Sequence, residues 1–230
     1  MSTIIEFADG TATDSRSEVN HLVPDAAFSE SAAAEQEAAK YRSADSRREQ
    51  TVNQFKSAIV ICRNLFIKKM EDYGLSWRFM RPESLTDQIM IKALRIRSLE
   101  TKGGRGQIDE GIEPEFIGIV NYSTIALIQL QLGEPAGLTL PGLSPEEALM
   151  FYDEAIDKAT GLMLDKNHDY DEAWRSMRVS SFTDIILQKI LRTKEIENHN
   201  GQTVVSEGID ANYMDMINYA LFALIKLSER

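Results

Sequence analysis

The chain has one cysteine, Cys62, in 230 residues. An internal disulfide and a Cys-rich zinc site are excluded, and a reducing compartment fits. Positive charge is scarce as well: 25 Lys and Arg against 36 Asp and Glu leave −11. That balance argues against an extended phosphate-binding face for DNA or RNA, so nucleic acid is disfavoured as a partner, although local basic pockets stay open to the chain. Residues Met1 to Asp9 lack the positive flank and long apolar run of a secretory signal, which makes the cytoplasm the expected compartment. Ile217 to Leu227 has nine apolar residues in eleven, yet Asn218 and Lys226 interrupt a run already too short for a bilayer. It reads as a central core helix, and no membrane partner is expected.

What the chain does have is 43% apolar and 27% charged residues over 25.9 kDa, the composition of a soluble globular protein with one compact domain or two small ones. Residues 1–48 hold few large apolar side chains and a charge of 5 − 9 = −4. They cannot bury enough apolar area to offset ordering entropy, so a mobile acidic extension is expected there, with a short helix over Ser31 to Lys40. From Gln50 the texture changes. Val52, Phe55, Ile59, Cys62, Phe66 and Met70 recur three and four apart, the stripe of a helix.

The body is a tandem duplication. Lys69-Met-Glu-Asp72-Tyr73-Gly-Leu-Ser-Trp77-Arg78-Phe-Met-Arg81 returns 97 residues later as Lys166-Asn-His-Asp169-Tyr170-Asp-Glu-Ala-Trp174-Arg175-Ser-Met-Arg178. Held without a gap, that shift makes 25 of the 62 positions from Lys69 to Leu130 identical to their partners. The expected architecture is all-α: two three-helix repeats, over 49–133 and 144–230, packed as a pseudo-twofold bundle. In each repeat a first helix, Gln50 to Tyr73 or Pro145 to Tyr170, leads into a loop carrying the Trp-Arg pair. Second helices start at Ser84 and Ser181, third ones at Pro114 and just after Asp210. Gly133 to Gly142, with two prolines and three glycines, connects the repeats.

Chemistry concentrates in the repeated segments. Lysine, arginine and Trp within 13 residues suit a phosphorylated aromatic ligand, the cations on phosphate and the indole on a base. The same residues also serve as a helix junction, with Trp and Tyr filling it and Asp72 and Asp169 accepting hydrogen bonds that hold the turn. Lys92 and Arg95, repeated as Lys189 and Arg192, share a helix face and suit either phosphate or acids of the third helix. Asp87 and Asp184 read as capping-box acids behind Ser84 and Ser181. Asn121 and Asn218 lie in apolar surroundings, where an unpaired amide costs about 1 to 3 kcal/mol, so each needs a partner. Glu115 and Asp215 do not recur, which splits an acid pair between the repeats and allows either one composite site across the pseudo-twofold axis or the decay of an ancestral site.

Lys69-x-x-Asp72-Tyr73-Gly74, the Lys92-x-x-Arg95 helix and the Asn121-Tyr122 helix resemble the family called nucleotide modification associated domain 1, over about residues 50–230. More distantly, the helical plan is similar to the all-α nucleoside triphosphate pyrophosphatases of the MazG and dimeric dUTPase type, which hold Mg²⁺ with acids on two helices. The resemblance implies that Glu115 and Asp215, with Glu110 and Glu207 before the third helices, are metal ligands or water-positioning acids. The repeated cations Lys69, Arg78, Lys92 and Arg95, with Lys166, Arg175, Lys189 and Arg192, are expected on phosphate, and Arg81 and Arg178 are expected in the same ligand site. The expected function is binding of a nucleotide or nucleotide-like phosphorylated ligand between the repeats, with Trp77 and Trp174 stacking. Asp72, Asp169, Asn121 and Asn218 would complete the site. Mg²⁺-dependent phosphoanhydride hydrolysis and a homodimer are compatible with it, and a non-catalytic helical scaffold is the alternative.

Overall fold

The computed structural model describes residues 25–103, 110–133, 135, 142–199, 201–203 and 207–229. Two compact units divide the chain, Met1–Ser43 and Ala44–Arg230. In the first, residues 25–43 are helical. All the packing described below belongs to the second. Among the described residues the regular elements are helices α1 (Asp25–Tyr73), α2 (Pro82–Thr101), α3 (Glu113–Leu132), α4 (Pro145–Tyr170), α5 (Val179–Asn198) and α6 (Ile209–Ser228). Four-residue 3₁₀ turns, Ser76–Phe79 and Ala173–Ser176, make the two corners that carry the tryptophans.

Two expectations need correction here. The first helix does not begin near Gln50, nor is Ser31 to Lys40 a separate short helix: both lie inside the 49-residue α1. Residues 25–73 contain no Gly or Pro, and Ala, Glu, Gln, Lys and Arg dominate the early turns, so propagation meets no breaker. Of the extension expected over residues 1–48, residues 1–24 lie outside the described residues and 25–48 are part of α1. Likewise, Ser84 and Ser181 are not caps. Pro82 at the first helical turn starts α2 two residues earlier, and α5 starts at Val179. Asp87 and Asp184 instead reach across the repeats, to Lys194 at 2.5 Å and to Arg97 at 3.4 Å. By contrast, α4 opens as its sequence directs: Ser144 accepts from the Glu147 amide at 3.1 Å, and the Glu147 carboxylate accepts from the Ser144 amide at 2.8 Å.

Helices α3 and α6 form the centre. They pack on one another, with α2 against α3, α5 against α6, α2 against α5, and α4 touching both central helices. Nearly every α6 side chain from Asn212 to Ile225 is buried, so the apolar run of the last helix is indeed core. Two hydrogen bonds fix the pairing of α2 with α5, Thr86 to Glu197 at 2.5 Å and Thr183 to Glu100 at 3.0 Å. These bonds exchange with each other under the 97-residue shift, as do the pairs Asp87–Lys194 and Arg97–Asp184. The helices therefore run antiparallel about a pseudo-twofold axis. First helices cross over as well. Phe55 of α1 packs edge-on against Phe222 of α6 at 5.5 Å between centroids, while Tyr152 of α4, in the equivalent position, stacks on Phe66 at 4.5 Å.

Candidate functional site

Each repeat holds its own cavity beside its corner. The first, about 190 Å³, is walled by Phe66, Lys69, Trp77, Gly118, Asn121 and Tyr122 among others. The second, about 210 Å³, is walled by Met163, Lys166, Trp174, Asp215, Asn218 and Tyr219 among others. Every residue lining the second stands 97 positions after one lining the first. No residue of one repeat enters the other's cavity wall, so the repeated side chains expected in one composite site line two separate cavities, while the open clefts walled from both repeats, of about 620 and 870 Å³, contain none of them. The cause is local: each cavity opens where the first helix of a repeat stops, at Gly74 (φ +60°) or Asp171 (φ +46°), and turns into the corner facing the third helix.

The walls are aromatic and largely apolar. Trp77 and Trp174 are 9% and 5% exposed, and each lies on a cavity wall with its indole N–H buried and without an acceptor among the described residues. Trp174 stacks on Phe222 at 4.3 Å and carries the Arg175 guanidinium 4.4 Å from its ring centre, so both faces are taken and the expected stacking of a ligand on Trp174 is corrected. Asn121 and Asn218 are wall residues with a structural duty: their amides donate to the backbone carbonyls of Cys62 at 3.1 Å and Ala159 at 2.9 Å, fastening the first helix of each repeat to its third. Tyr73 and Tyr170, both largely exposed, line the mouths. In the sequence Tyr73 and Tyr170 read as filling the helix junction, which their exposure corrects, and the recurrence of Tyr122 and Tyr219 at the same shift marks these wall positions without assigning them a role.

The arginines of the Trp-Arg pairs are not in either wall. Arg78 is 3% exposed; it donates to the Gln129 amide oxygen and, at 3.1 Å, to the Gly133 carbonyl, and burial lowers its pKa. Arg175 lies over Trp174 and is bound by Glu172 and by Thr51 and Gln54 of α1, at 2.6 and 2.8 Å for the last two. Both guanidinium groups are spent on holding corners, which corrects their assignment to phosphate. Arg81 and Arg178 are exposed at the starts of α2 and α5, and Asp72 and Asp169 are exposed too; none of these four lines either corner cavity.

The helix cations also find protein acids. Lys92 bonds Glu115 at 3.2 Å, and Arg95 bonds the same carboxylate, with exposed Glu110 at 3.6 Å. In the second repeat Lys189 and Lys166 both bond Asp215 at 2.6 Å. Burial works to lower the Lys166 pKa, but the hydrogen bond and charge of Asp215, with Glu207 nearby, raise it overall. Glu115 and Asp215 thus answer cations of their own repeats and do not combine across the axis. Among the described residues no three of His, Cys, Asp and Glu form a group able to hold a metal ion.

The family described as nucleotide modification associated domain 1 matches residues 69–130 and again residues 166–227. The chain belongs to that family. Both matched copies contain the corner, the Lys-x-x-Arg helix and the Asn-Tyr helix, so each family domain owns one cavity. No curated protein and no solved structure matches the chain. No helix among the described residues is long and apolar enough to cross a membrane.

Proposed function

We propose that the corner cavity of this family domain binds a nucleotide or nucleotide-like phosphorylated ligand, its ring inside and its phosphate at the mouth. The observation that carries the reading is the recurrence of one wall, with lysine, Trp, Asn and two Tyr at the same places in both repeats. A volume near 200 Å³ is below the roughly 300 to 1,000 Å³ of a site that swallows a whole ligand, so it suits a base while the rest stays outside. Two aromatic walls and an unsatisfied indole N–H favour a flat ring bearing an acceptor. Lys69, exposed and without an ion pair among the described residues, is the cation left for phosphate.

Mg²⁺, in this reading, arrives with the ligand's phosphates, and phosphoanhydride hydrolysis of the MazG type is the corresponding enzymatic form. A thermal-shift screen of nucleoside mono-, di- and triphosphates with and without Mg²⁺ tests binding, since a ligand of the native state raises the apparent Tm. Pyrophosphate release from the same panel tests hydrolysis. The scaffold reading draws on the arginine-locked corners and predicts no shift with any nucleotide. A panel without a single Tm rise decides for it.

A further inference from the structure

We propose that only the first cavity takes an external anion, over Gly118 between Lys69 and Lys92, and that Asp215 fills the equivalent place in the second as a built-in substitute. The inference rests on the binding reading and sharpens it to one ligand site per chain. Its basis is a pair of exchanges along the third helices. Where α3 has Glu115 and Gly118, α6 has Asn212 and Asp215, so the acid has moved one turn. The consequence is geometric. Both lysines of the second repeat converge on Asp215 at 2.6 Å, and Asp215 is itself a cavity wall. That carboxylate, 3% exposed, marks the spot where the repeated lysines hold an anion.

In the first repeat the same spot has no carboxylate. The Lys92 tail fills it instead: a Cβ at Gly118 would lie 2.5 Å from both Cδ and Cε of Lys92, whose Nζ is 5.8 Å from the Tyr122 ring centre. From there Lys92 is parked on Glu115, outside the wall. Arg95 bonds that carboxylate as well, so swinging Lys92 toward a ligand does not strand a buried charge. In the second repeat Asn212 offers no such parking place. The first repeat pairs Lys92 and Arg95 with Glu115 and the second pairs Lys166 and Lys189 with Asp215; what differs is whether the buried acid lies outside the cavity wall or in it.

The test is titration of the full chain, labelled at lysine Nζ with ¹⁵N, with inorganic phosphate. The Lys69 and Lys92 signals are expected to move saturably while those of Lys166 and Lys189 stay still. Gly118→Asp, whose Cβ has three atoms of the flexible Lys92 tail as its nearest neighbours, should silence the first pair. Asp215→Asn and Asp215→Gly should make the second pair respond. Equal movement of both pairs in the native chain overturns the single site while leaving nucleotide binding intact. Still signals from Lys69 and Lys92 overturn the anion site even if the nucleotide screen gives a Tm rise. Folded Asp215 variants with a silent second pair reject Asp215 as the occupant. Should far-UV circular dichroism show those variants unfolded, the native comparison and Gly118→Asp decide.

Discussion

Asn121 and Asn218 occupy equivalent places and make the same bond to a backbone carbonyl, yet only Asn121 is satisfied at its oxygen. It accepts from the Tyr152 hydroxyl at 2.8 Å, whereas the Asn218 oxygen is buried with no partner among the described residues, because the residue equivalent to Tyr152 is Phe55. A net buried hydrogen bond contributes about 1 kcal/mol, so Tyr152→Phe should lower unfolding stability by about that amount and Phe55→Tyr should raise it, read from urea midpoints. A destabilised Phe55→Tyr would mean that the added hydroxyl does not reach Asn218. Arg78 is a harsher case. Arg78→Met leaves the Gln129 amide oxygen and the Gly133 carbonyl without their donor, and a loss of about 2 to 3 kcal/mol is expected for bonds to a buried charge. That the asparagines need partners follows from their apolar neighbours. Their partners do not, since a carbonyl 59 residues away carries no mark in the sequence. A cation beside a Trp likewise looks the same whether it faces a ligand or pins a corner, and only Gln129, far along α3, separates the two for Arg78.

Pairing of α2 with α5 depends on two half-buried carboxylates, Glu100 and Glu197. Burial outweighs the threonine hydrogen bonds and holds both above the ordinary carboxylate pKa. Folding therefore binds protons more tightly at these sites than unfolding does. Their contribution is complete below the ordinary carboxylate pKa and is lost as pH climbs through the raised value. Glu172 has the opposite sign: burial opposes its ionisation, but bonds from Thr51, Arg175 and Asn167 prevail and lower its pKa, so its contribution is lost as pH falls. The double variant Glu100→Gln/Glu197→Gln isolates the first effect. It should flatten the decline in Tm on the alkaline side of the carboxylate range and be no less stable than the native chain near neutrality. A steeper decline would refute the assignment. At this scale the sequence was readable wherever periodicity and punctuation agree, as in α4 between Ser144-Pro145 and Tyr170. It misled where propensity alone governs, upstream of Gln50, and where Pro82 and Ser84 compete to open α2. The pairing of α2 with α5 lay beyond it, because the exposed faces of these helices carry charges that pair as readily within a helix as between two.

Duplication sets the organisation of the second unit, but the repeats are not separate bodies within it. One hydrophobic core runs through both and includes Phe66, Ile89 and Ile119 with Tyr152, Ile186 and Leu221. Crossed first helices strengthen the point: Thr51 donates to Glu172 at 2.7 Å, and Arg63 grips Asp153 with two bonds of 2.7 and 2.8 Å. A lone repeat would expose the long apolar face of α3 or α6 that the other now covers, and at roughly 25 cal/mol per Å² each few hundred Å² uncovered costs about 5 to 10 kcal/mol, comparable to the whole stability of an ordinary domain. Residues 44–133 and 144–230, produced as separate chains, should therefore be unfolded or aggregated alone and regain helicity on mixing, and the intact protein should melt in one transition. Mixing followed by circular dichroism and sedimentation checks this. A monomeric fragment with its own cooperative melt would show that a repeat is self-sufficient, and the two cavities would then belong to independent domains rather than to one shared scaffold.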